Sequence, residues 1–567
     1  VRRNLDALAI AAAALAGVAL ILACSVKYGP AIGPDSINYM AAARNLLAGR
    51  GFLMWDGAPF AFWPPLFPML LAGAELAGLE MVRAAALVNA ICFAGTITAA
   101  GLCARRCTRS TGAVALAAAL MLVSPVLRLS PLIDAHRWML AEPLFLLLVM
   151  VFLLNAPRLL TPQGDPLLAG AVAAAACLTR YIGVTLIATG GLLWLLGLRR
   201  NRAASADRAN HPAAGRVRLA KATFSGVIAV LGLGVWLARN CILTGTLTGE
   251  RLPPDNSLAG SFTAAGEILG SWWVPFSGRL GLPGIALVAA FGAAGAGAAW
   301  LLLSRRRAGA GTRPYVITLL VFTAIYTLAV VVLTSRTWVT LQSRMLSPIY
   351  PPMVVLAVAA FDELLARIGR RAARPLRVGR GTLMCAAAVV IVLAGAARSV
   401  GWLGGMIRDG SGGLSTVGWH ESPMVNFVRS HRFDKPVFSN SPEIFLLTDA
   451  VVRAIPPVLA SDSLPLKAES AENKPPARRT SPSEQCYIDD SPPGSDRARR
   501  RLDEFRRLLA RENGCYVAYF EPASAPEWFP VRRSCSMERI GEFGLVSIVA
   551  RFADGAVYHI TARTRAR

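Results

Sequence analysis

Charge is scarce in this 567-residue chain: Asp, Glu, Lys and Arg make up 16% of it, against 54% hydrophobic residues. With a mean hydropathy of +0.48, that balance excludes a string of ordinary soluble domains, in which about a quarter of residues are charged. Histidine is rarer still, with 5 residues, and the 10 cysteines are scattered without ligand spacing. With no HExxH, no Cys/His cluster and no paired acidic motif, nothing demands a metal or a redox centre. No internal repeat is found, which argues against a transporter assembled from related halves. No soluble basic stretch is interleaved with aromatics, so the formal net charge of +25 does not read as a nucleic-acid surface.

Long apolar runs are what the sequence does have. Ala7 to Ser25, Gly281 to Leu303, Tyr315 to Ser335 and Thr382 to Ser399 are each long enough to cross about 30 Å of hydrocarbon. The surplus charge sits between such runs, at Arg105, Arg106 and Arg109, at 199–221, at Arg305 to Arg307 and at 367–380. Clusters at every second loop are the signature of cytoplasmic loops. The spacing predicts about eleven spans, near 7–25, 83–104, 112–128, 139–154, 166–180, 182–198, 222–238, 281–303, 315–335, 345–366 and 382–399. Arg2 and Arg3 ahead of the first run, with no good cleavage site after it, predict an uncleaved first helix. Residues 26–82 then form a long outer segment, with an amphipathic helix over 37–48 and a short apolar helix over 66–79 lying at the interface.

Beyond residue 400 the composition changes, with more Pro, Ser and charge and no run able to span. The division expected is a transmembrane domain over 1–399 and a soluble extracytoplasmic domain over 400–567. Pro436 to Ser439 and Cys515 to Phe520 read as buried strands and Asp496 to Glu512 as a charged helix, a small α/β domain. Ser461 to Arg499 reads as a flexible insertion. Cys486, Cys515 and Cys535 could form one disulfide and leave one thiol in an oxidising compartment, the pair being undetermined.

On this topology Asp35, Asp134, His136, Arg137, Glu142, Arg180, Arg239, Arg336 and Arg344 fall near the outer surface. A charged side chain at the bilayer centre costs about 2.5–3.5 kcal/mol on insertion scales and usually faces a cavity or a partner. Glu142, inside the apolar run 139–155, is the sharpest case. Arginine forks suit phosphate oxygens, and a carboxylate suits a hydroxyl to be oriented or deprotonated. The combination fits glycosyl transfer from a lipid phosphate.

The segment Pro34-Asp35-Ser36-Ile37-Asn38-Tyr39, with Ala42, Arg44, Leu47, Gly49 and Gly51, followed by Phe62-Trp63-Pro64-Pro65-Leu66-Phe67-Pro68, resembles the first outer loop of GT-C glycosyltransferases. It is similar in particular to bacterial enzymes related to protein O-mannosyltransferases and to the lipid A aminoarabinose transferase. Ala141-Glu142-Pro143-Leu144-Phe145, Leu178-Thr179-Arg180-Tyr181-Ile182-Gly183 and Arg344-Met345-Leu346-Ser347-Pro348 resemble further family segments. The likeness covers about 1–360 well and the tail loosely; the large luminal insertion of the mannosyltransferases is missing. The resemblance implies a polytopic α-helical membrane protein with the GT-C fold, located in the plasma membrane. It implies an inverting hexosyl- or pentosyltransferase with a polyprenyl-phosphate sugar donor and an envelope glycan, lipid or protein acceptor. Asp35 would act on the acceptor, with Asp134 as the second acidic residue. Arg180, Arg344 and Arg239 would hold the donor phosphate, with Glu142, His136, Tyr181 and Tyr39 supporting the site. No cofactor is expected, a divalent ion at Asp35 and Asp134 being the alternative. A transporter or flippase for a lipid-linked or anionic solute is the competing function.

Each of these residues also has a plainer role. Asp35 could cap a helix, Asp134 could be a solvated loop residue paired with His136 or Arg137, and Glu142 could simply tie helices together. The arginines could snorkel to headgroups. Tyr28, Tyr39, Trp55, Trp63, Trp272 and Trp273 suit an aromatic belt. Asp362 and Glu363, beside basic residues at an inner helix end, are assigned no catalytic role.

Overall fold

The computed structural model describes residues 2–126, 129–160, 166–205, 212–249, 257–274, 283–304, 312–337, 339–371, 379–439, 452–454, 496–520 and 544–562. They fall into two compact units, one of Val1–Val26 with Pro59–Arg408, the other of Lys27–Ala58 with Asp409–Arg567. In chain order the helices up to residue 409 are α1 (Arg2–Cys24), α2 (Pro34–Leu47), α3 (Leu66–Leu76), α4 (Met81–Cys107), α5 (Thr111–Leu122), α6 (Pro131–His136), α7 (Glu142–Asn155) and α8 (Leu167–Thr179). They continue with α9 (Val184–Ser205), α10 (Pro212–Thr244), α11 (Leu258–Trp273), α12 (Gly284–Leu303), α13 (Thr312–Thr334), α14 (Ser343–Leu346), α15 (Tyr350–Arg371) and α16 (Arg380–Asp409). All but α2 belong to the first unit.

Among the described residues, nine helical stretches have the length and composition to cross a membrane. α3, α5 and α8 are apolar but short. The spans expected at 112–128 and 166–180 are helices of 12 and 13 residues, about 18–20 Å long. α5 gives way to extended backbone at Val123, two residues before Pro125, which cannot continue a helix. α8 stops where Arg180 turns extended, at φ −148°.

α4 is the hub of the first unit, packing against α1, α5, α7, α13 and α15. Its buried face is largely alanine, which lets backbones approach closely. Phe93, Phe145, Phe152, Phe322 and Tyr350 fill the space between helices and are fully buried. Several hydroxyls inside the bundle are satisfied by nearby carbonyls, as a membrane setting favours. The Tyr350 hydroxyl donates to the Leu120 carbonyl at 2.7 Å, and Thr96 and Thr318 donate to carbonyls one turn back at 2.8 Å. Where α5 meets α16, a Cβ on Gly112 would collide with the backbone of Gly381. Only glycine permits that approach. Asp362 and Glu363 are buried near the far end of α15 and meet basic groups. Arg380 lies 3.6 Å from Asp362, and Arg367 and Arg370 lie 3.1 and 3.2 Å from Glu363.

In the second unit, the segment around residues 28–32 is stitched to the start of the tail. Ser411 and Ser415 donate to the carbonyls of Gly29 and Pro30 at 2.6 and 2.7 Å, and Leu414 N donates to Ile32 O at 2.9 Å. Tyr28 stacks on His420 with ring centroids 4.0 Å apart. α2 is buried continuously from Ser36 to Ala43, whereas an amphipathic interfacial helix would keep one face open. The tail contains a hairpin of β1 (Gly410–Gly412) and β2 (Ser415–Thr416), then α17 (Val417–His420) and α18 (Pro423–Ser430). Strands β3 (Val437–Ser439), β4 (Val452–Ala454), β5 (Cys515–Phe520), β6 (Gly544–Phe552) and β7 (Gly555–Ala562) form a mixed sheet in the order β4-β3-β5-β7-β6. α19 (Asp496–Arg511) covers one face through Phe505, Leu508 and Leu509 against Phe438, Val517 and Ile560. Both strands and the helix expected in this region are present. Cys515 is buried in that core, where burial pushes its thiol up to about 12. Cys486, Cys535 and nearly all of 461–499 lie outside the described residues.

Candidate active site

A carboxylate buried among apolar helices needs a compensating charge. Glu142 opens α7, with Pro143 behind it to fix the first turn, and its side chain is only 3% exposed. Two arginines meet it. Arg180 Nη1 lies 2.5 Å and Arg344 Nη1 3.6 Å from the same oxygen, Glu142 Oε1. Three elements far apart in sequence thus place two guanidiniums and one carboxylate together, a cluster with a net charge of about +1.

Each arginine is held by its own surroundings. Arg180 sits where α8 stops and a short 3-10 turn, Tyr181–Gly183, begins. A Cβ on Gly183 would overlap the backbone of Ala176 and Cys177, so glycine lets that turn fold tightly on α8. The Tyr181 hydroxyl donates to Ala61 O at 2.6 Å and accepts from Trp236 Nε1 at 3.1 Å and Asn240 Nδ2 at 3.0 Å. Arg239 lies over the Trp236 ring at 4.5 Å and donates to Phe60 O and Asn240 Oδ1, both at 3.0 Å. These contacts tie the Phe60–Ala61 segment and α10 to the turn next to Arg180. Arg344 lies in the one-turn helix α14, where its Nε donates to Gln342 Oε1 at 2.7 Å. Tyr326 donates to Met345 O at 3.0 Å, and Trp272 to Ser343 Oγ at 3.1 Å.

Asp134 lies in α6, which packs against α14, and pairs with Arg137 at 2.9 Å while remaining half exposed. His136 is placed differently from the expectation of a site-lining residue. It is fully buried against Phe93, its Nδ1 donating to Leu132 O at 2.6 Å. Burial lowers its pKa to about 4, so the ring is neutral. A neighbouring segment is held by Asn89, whose side chain donates to the carbonyls of His136 and Trp138 at 2.8 Å. Asp35 and Tyr39 belong to the second unit. Asp35 is half-buried in the first turn of α2, and Tyr39 is fully buried. The capping role is taken by Ser36, whose hydroxyl accepts from Gly33 N at 3.0 Å.

Sequence reasoning missed Gln342, Asn240 and Trp236, the side chains that orient the arginine segments. Gln342 stands two places before Arg344, a proximity that could have drawn notice. Among the described residues, no group of three or more His, Cys, Asp or Glu side chains is arranged to hold a metal.

No protein-family model matches this sequence. No curated protein matches it either. The fold aligns with ArnT from Cupriavidus metallidurans in the apo state at 14% identity and a TM-score of 0.55, over 96% of this chain and 97% of that one. It aligns with the same protein bound to undecaprenyl phosphate at 14% identity and a TM-score of 0.53, over the same 96% and 97%. The arabinofuranosyltransferase AftD from Mycobacteria aligns at 16% identity and a TM-score of 0.50, over 98% of this chain and 40% of that one. The chain therefore has the fold of the GT-C glycosyltransferases, a multi-pass membrane architecture carrying a small C-terminal sheet domain.

Proposed function

We propose that this protein is an inverting glycosyltransferase that moves a hexosyl or pentosyl group from a polyprenyl-phosphate donor to an envelope acceptor on the outer face of the plasma membrane. The observation that carries the reading is the Glu142–Arg180–Arg344 cluster, set in a fold like that of a protein bound to undecaprenyl phosphate. Arg180 and Arg344 hold the donor phosphate. The acceptor hydroxyl attacks the anomeric carbon, its proton passes to the Asp35 carboxylate, and the bond from that carbon to the phosphate oxygen breaks. Polyprenyl phosphate leaves with an additional negative charge, which the guanidiniums stabilise. Asp134, beside the Arg344 turn, is the second acidic residue of the site. Arg239 is the third arginine proposed for the donor phosphate, and Tyr181 supports the site by fixing the turn next to Arg180. No metal takes part. The basic clusters support a cytoplasmic location for the opposite end of the bundle, and the reading takes the C-terminal domain as extracytoplasmic.

The test is release of free polyprenyl phosphate from a panel of polyprenyl-phosphate sugars by purified protein, with membrane-envelope extract as acceptor and with or without EDTA. Wild type turns the donor over in either condition, and a stably folded Asp35→Asn loses about 100-fold or more, the scale of general acid–base catalysis. Turnover by wild type that Asp35→Asn leaves intact moves the base to Asp134. No turnover with any donor overturns the reading in favour of transport.

A further inference from the structure

At the basic end of the bundle, far from Glu142, an open cavity of about 490 Å³ is lined by Arg2, Leu5, Arg109, Ser110, Thr111, Arg380 and Gly381. α14, the turn after it and α15 run from Arg344 to Asp362, about 25 Å of helical rise, and Asp362 is bonded to the cavity wall. The two clusters therefore stand at opposite ends of the bundle. Three guanidiniums come from three segments, the start of α1, the α4–α5 connection and the start of α16.

Two aspartates hold this wall in place. Asp362 is fully buried, accepts from Arg109 N at 3.1 Å and lies 3.6 Å from Arg380. Asp6 is buried one turn above Arg2, 3.9 Å from its guanidinium. Three arginines against two aspartates leave one positive charge. The backbone adds to it. α5 and α16 both begin at the cavity and pack backbone against backbone at Gly112 and Gly381, bringing two positive helix ends together. Ser110 Oγ accepts from Ala113 N at 3.4 Å, so one of these amide donors is capped locally. On the flank, Leu5 lines the cavity, and Leu8 on α1 and Leu383 on α16 are 66% and 41% exposed. A cationic mouth beside exposed apolar side chains suits a charged headgroup with its chains alongside.

We infer that this cavity is a second anion site, separate from the proposed catalytic cluster, which takes a phosphate group and, in the membrane, the phosphate headgroup of an anionic lipid. Its arginines act as donors to phosphate oxygens. The inference does not depend on the glycosyltransferase reading, because binding is measured without any sugar donor.

The experiment is native mass spectrometry of the full-length protein in detergent, titrated with phosphatidic acid, phosphatidylcholine or inorganic phosphate. Phosphatidic acid is expected to bind saturably and more tightly than phosphatidylcholine. Arg109→Gln should weaken it about tenfold, the scale of one lost charge-assisted contact, and Arg109→Gln/Arg380→Gln further. Arg109 is the safer probe, since its backbone bond to Asp362 survives the change. Arg83→Gln, an exposed control 3.6 Å from Glu80, should leave binding unchanged. Competition by inorganic phosphate, or its binding alone, supports a site for the phosphate ion itself, and binding of the lipid without such competition supports the headgroup as ligand. Equal affinity in wild type and Arg109→Gln/Arg380→Gln, equal affinity for phosphatidylcholine, or no saturable binding of any probe overturns the inference.

Discussion

Replacing Arg180 by Gln tests whether the two arginines and Glu142 act as one electrostatic unit. The Glu142 side chain is 3% exposed and has Arg180 at 2.5 Å and Arg344 at 3.6 Å. Arg180→Gln removes the nearer partner and leaves a buried carboxylate with only the longer contact. Breaking a buried pair in this way costs about 3–5 kcal/mol, chiefly from the charge left behind. Glu142→Gln leaves two guanidiniums, about a quarter exposed, which retain some solvation, so its cost is smaller. The double variant Glu142→Gln/Arg180→Gln removes both members of the close pair and should recover at least half of the Arg180→Gln loss. That is a coupling of about 2–3 kcal/mol, at the upper end for residues in direct contact. The assay is reversible unfolding in mixed micelles, followed by far-UV circular dichroism and tryptophan fluorescence. Donor turnover, measured in parallel, should remain lost in the double variant, because a restored fold still lacks the fork for phosphate. Strict additivity of the two substitutions, or an Arg180→Gln cost below about 1 kcal/mol, would refute the coupled-unit reasoning.

Two further substitutions probe the surroundings. Tyr181→Phe strands the Asn240 amide, the Trp236 indole and the Ala61 carbonyl, which the hydroxyl bonds at 3.0, 3.1 and 2.6 Å. It should cost about 1–3 kcal/mol and raise KM for the donor more than it lowers kcat; unchanged stability together with unchanged KM would exclude a positioning role. His136 is neutral when folded, its pKa lowered from 6.5 to about 4 by burial. Below pH 6.5 the unfolded chain binds a proton that the folded chain refuses, so stability falls as the pH drops towards 4, by at most about 3 kcal/mol. Thermal unfolding between pH 7 and 5 should show this slope, and His136→Phe, which cannot take up that proton in either state, should flatten it.

Much of this protein is legible in its sequence because a bilayer leaves few choices. A span must be long and apolar, and a charge inside one must be explained, which is how Glu142 stands out in its run of Leu, Val and Phe. The arginines that answer it could be shortlisted by topology, and the family segments around Arg180 and Arg344 pointed the same way. Hydropathy says nothing about Gln342 or Asn240, because a neutral amide at a helix end looks the same whether it faces water or fixes a guanidinium. His136 misled for a related reason. A histidine two residues after Asp134 in an outer loop reads as a group supporting the site, and only the packing of α6 and α4, with Phe93 against the ring, turns it into the core. α5 is shorter than its apolar run because Pro125 ends the helix at Val123. The spacing of Ile37, Met40, Ala41 and Leu47 predicts an amphipathic α2, and the neighbouring Ala42 and Ala43 are as buried as Ile37 and Met40.

The presence of Glu142 in a site proposed to bind phosphate calls for a physical reason, since it competes for the same donors. Two guanidiniums converging on one point in a low-dielectric setting repel each other, and the carboxylate holds them together before any ligand arrives. It also sets the charge of the site. With Glu142 the cluster carries about one positive charge, close to the single negative charge of a phosphodiester donor. As the sugar leaves, the phosphate acquires a second negative charge, and the attraction to the forks grows with it. Interactions that strengthen as the reaction proceeds lower the barrier, whereas those equally strong at the start do not. The product should therefore bind more tightly than the donor. Competition measurements with free polyprenyl phosphate should give an inhibition constant below the dissociation constant of the intact donor, and Glu142→Gln, which leaves both guanidiniums without their carboxylate, should tighten both ligands and widen the gap, since the more highly charged product gains more. A product that binds more weakly than the donor in wild type would leave the forks as ordinary binding groups and remove their catalytic role.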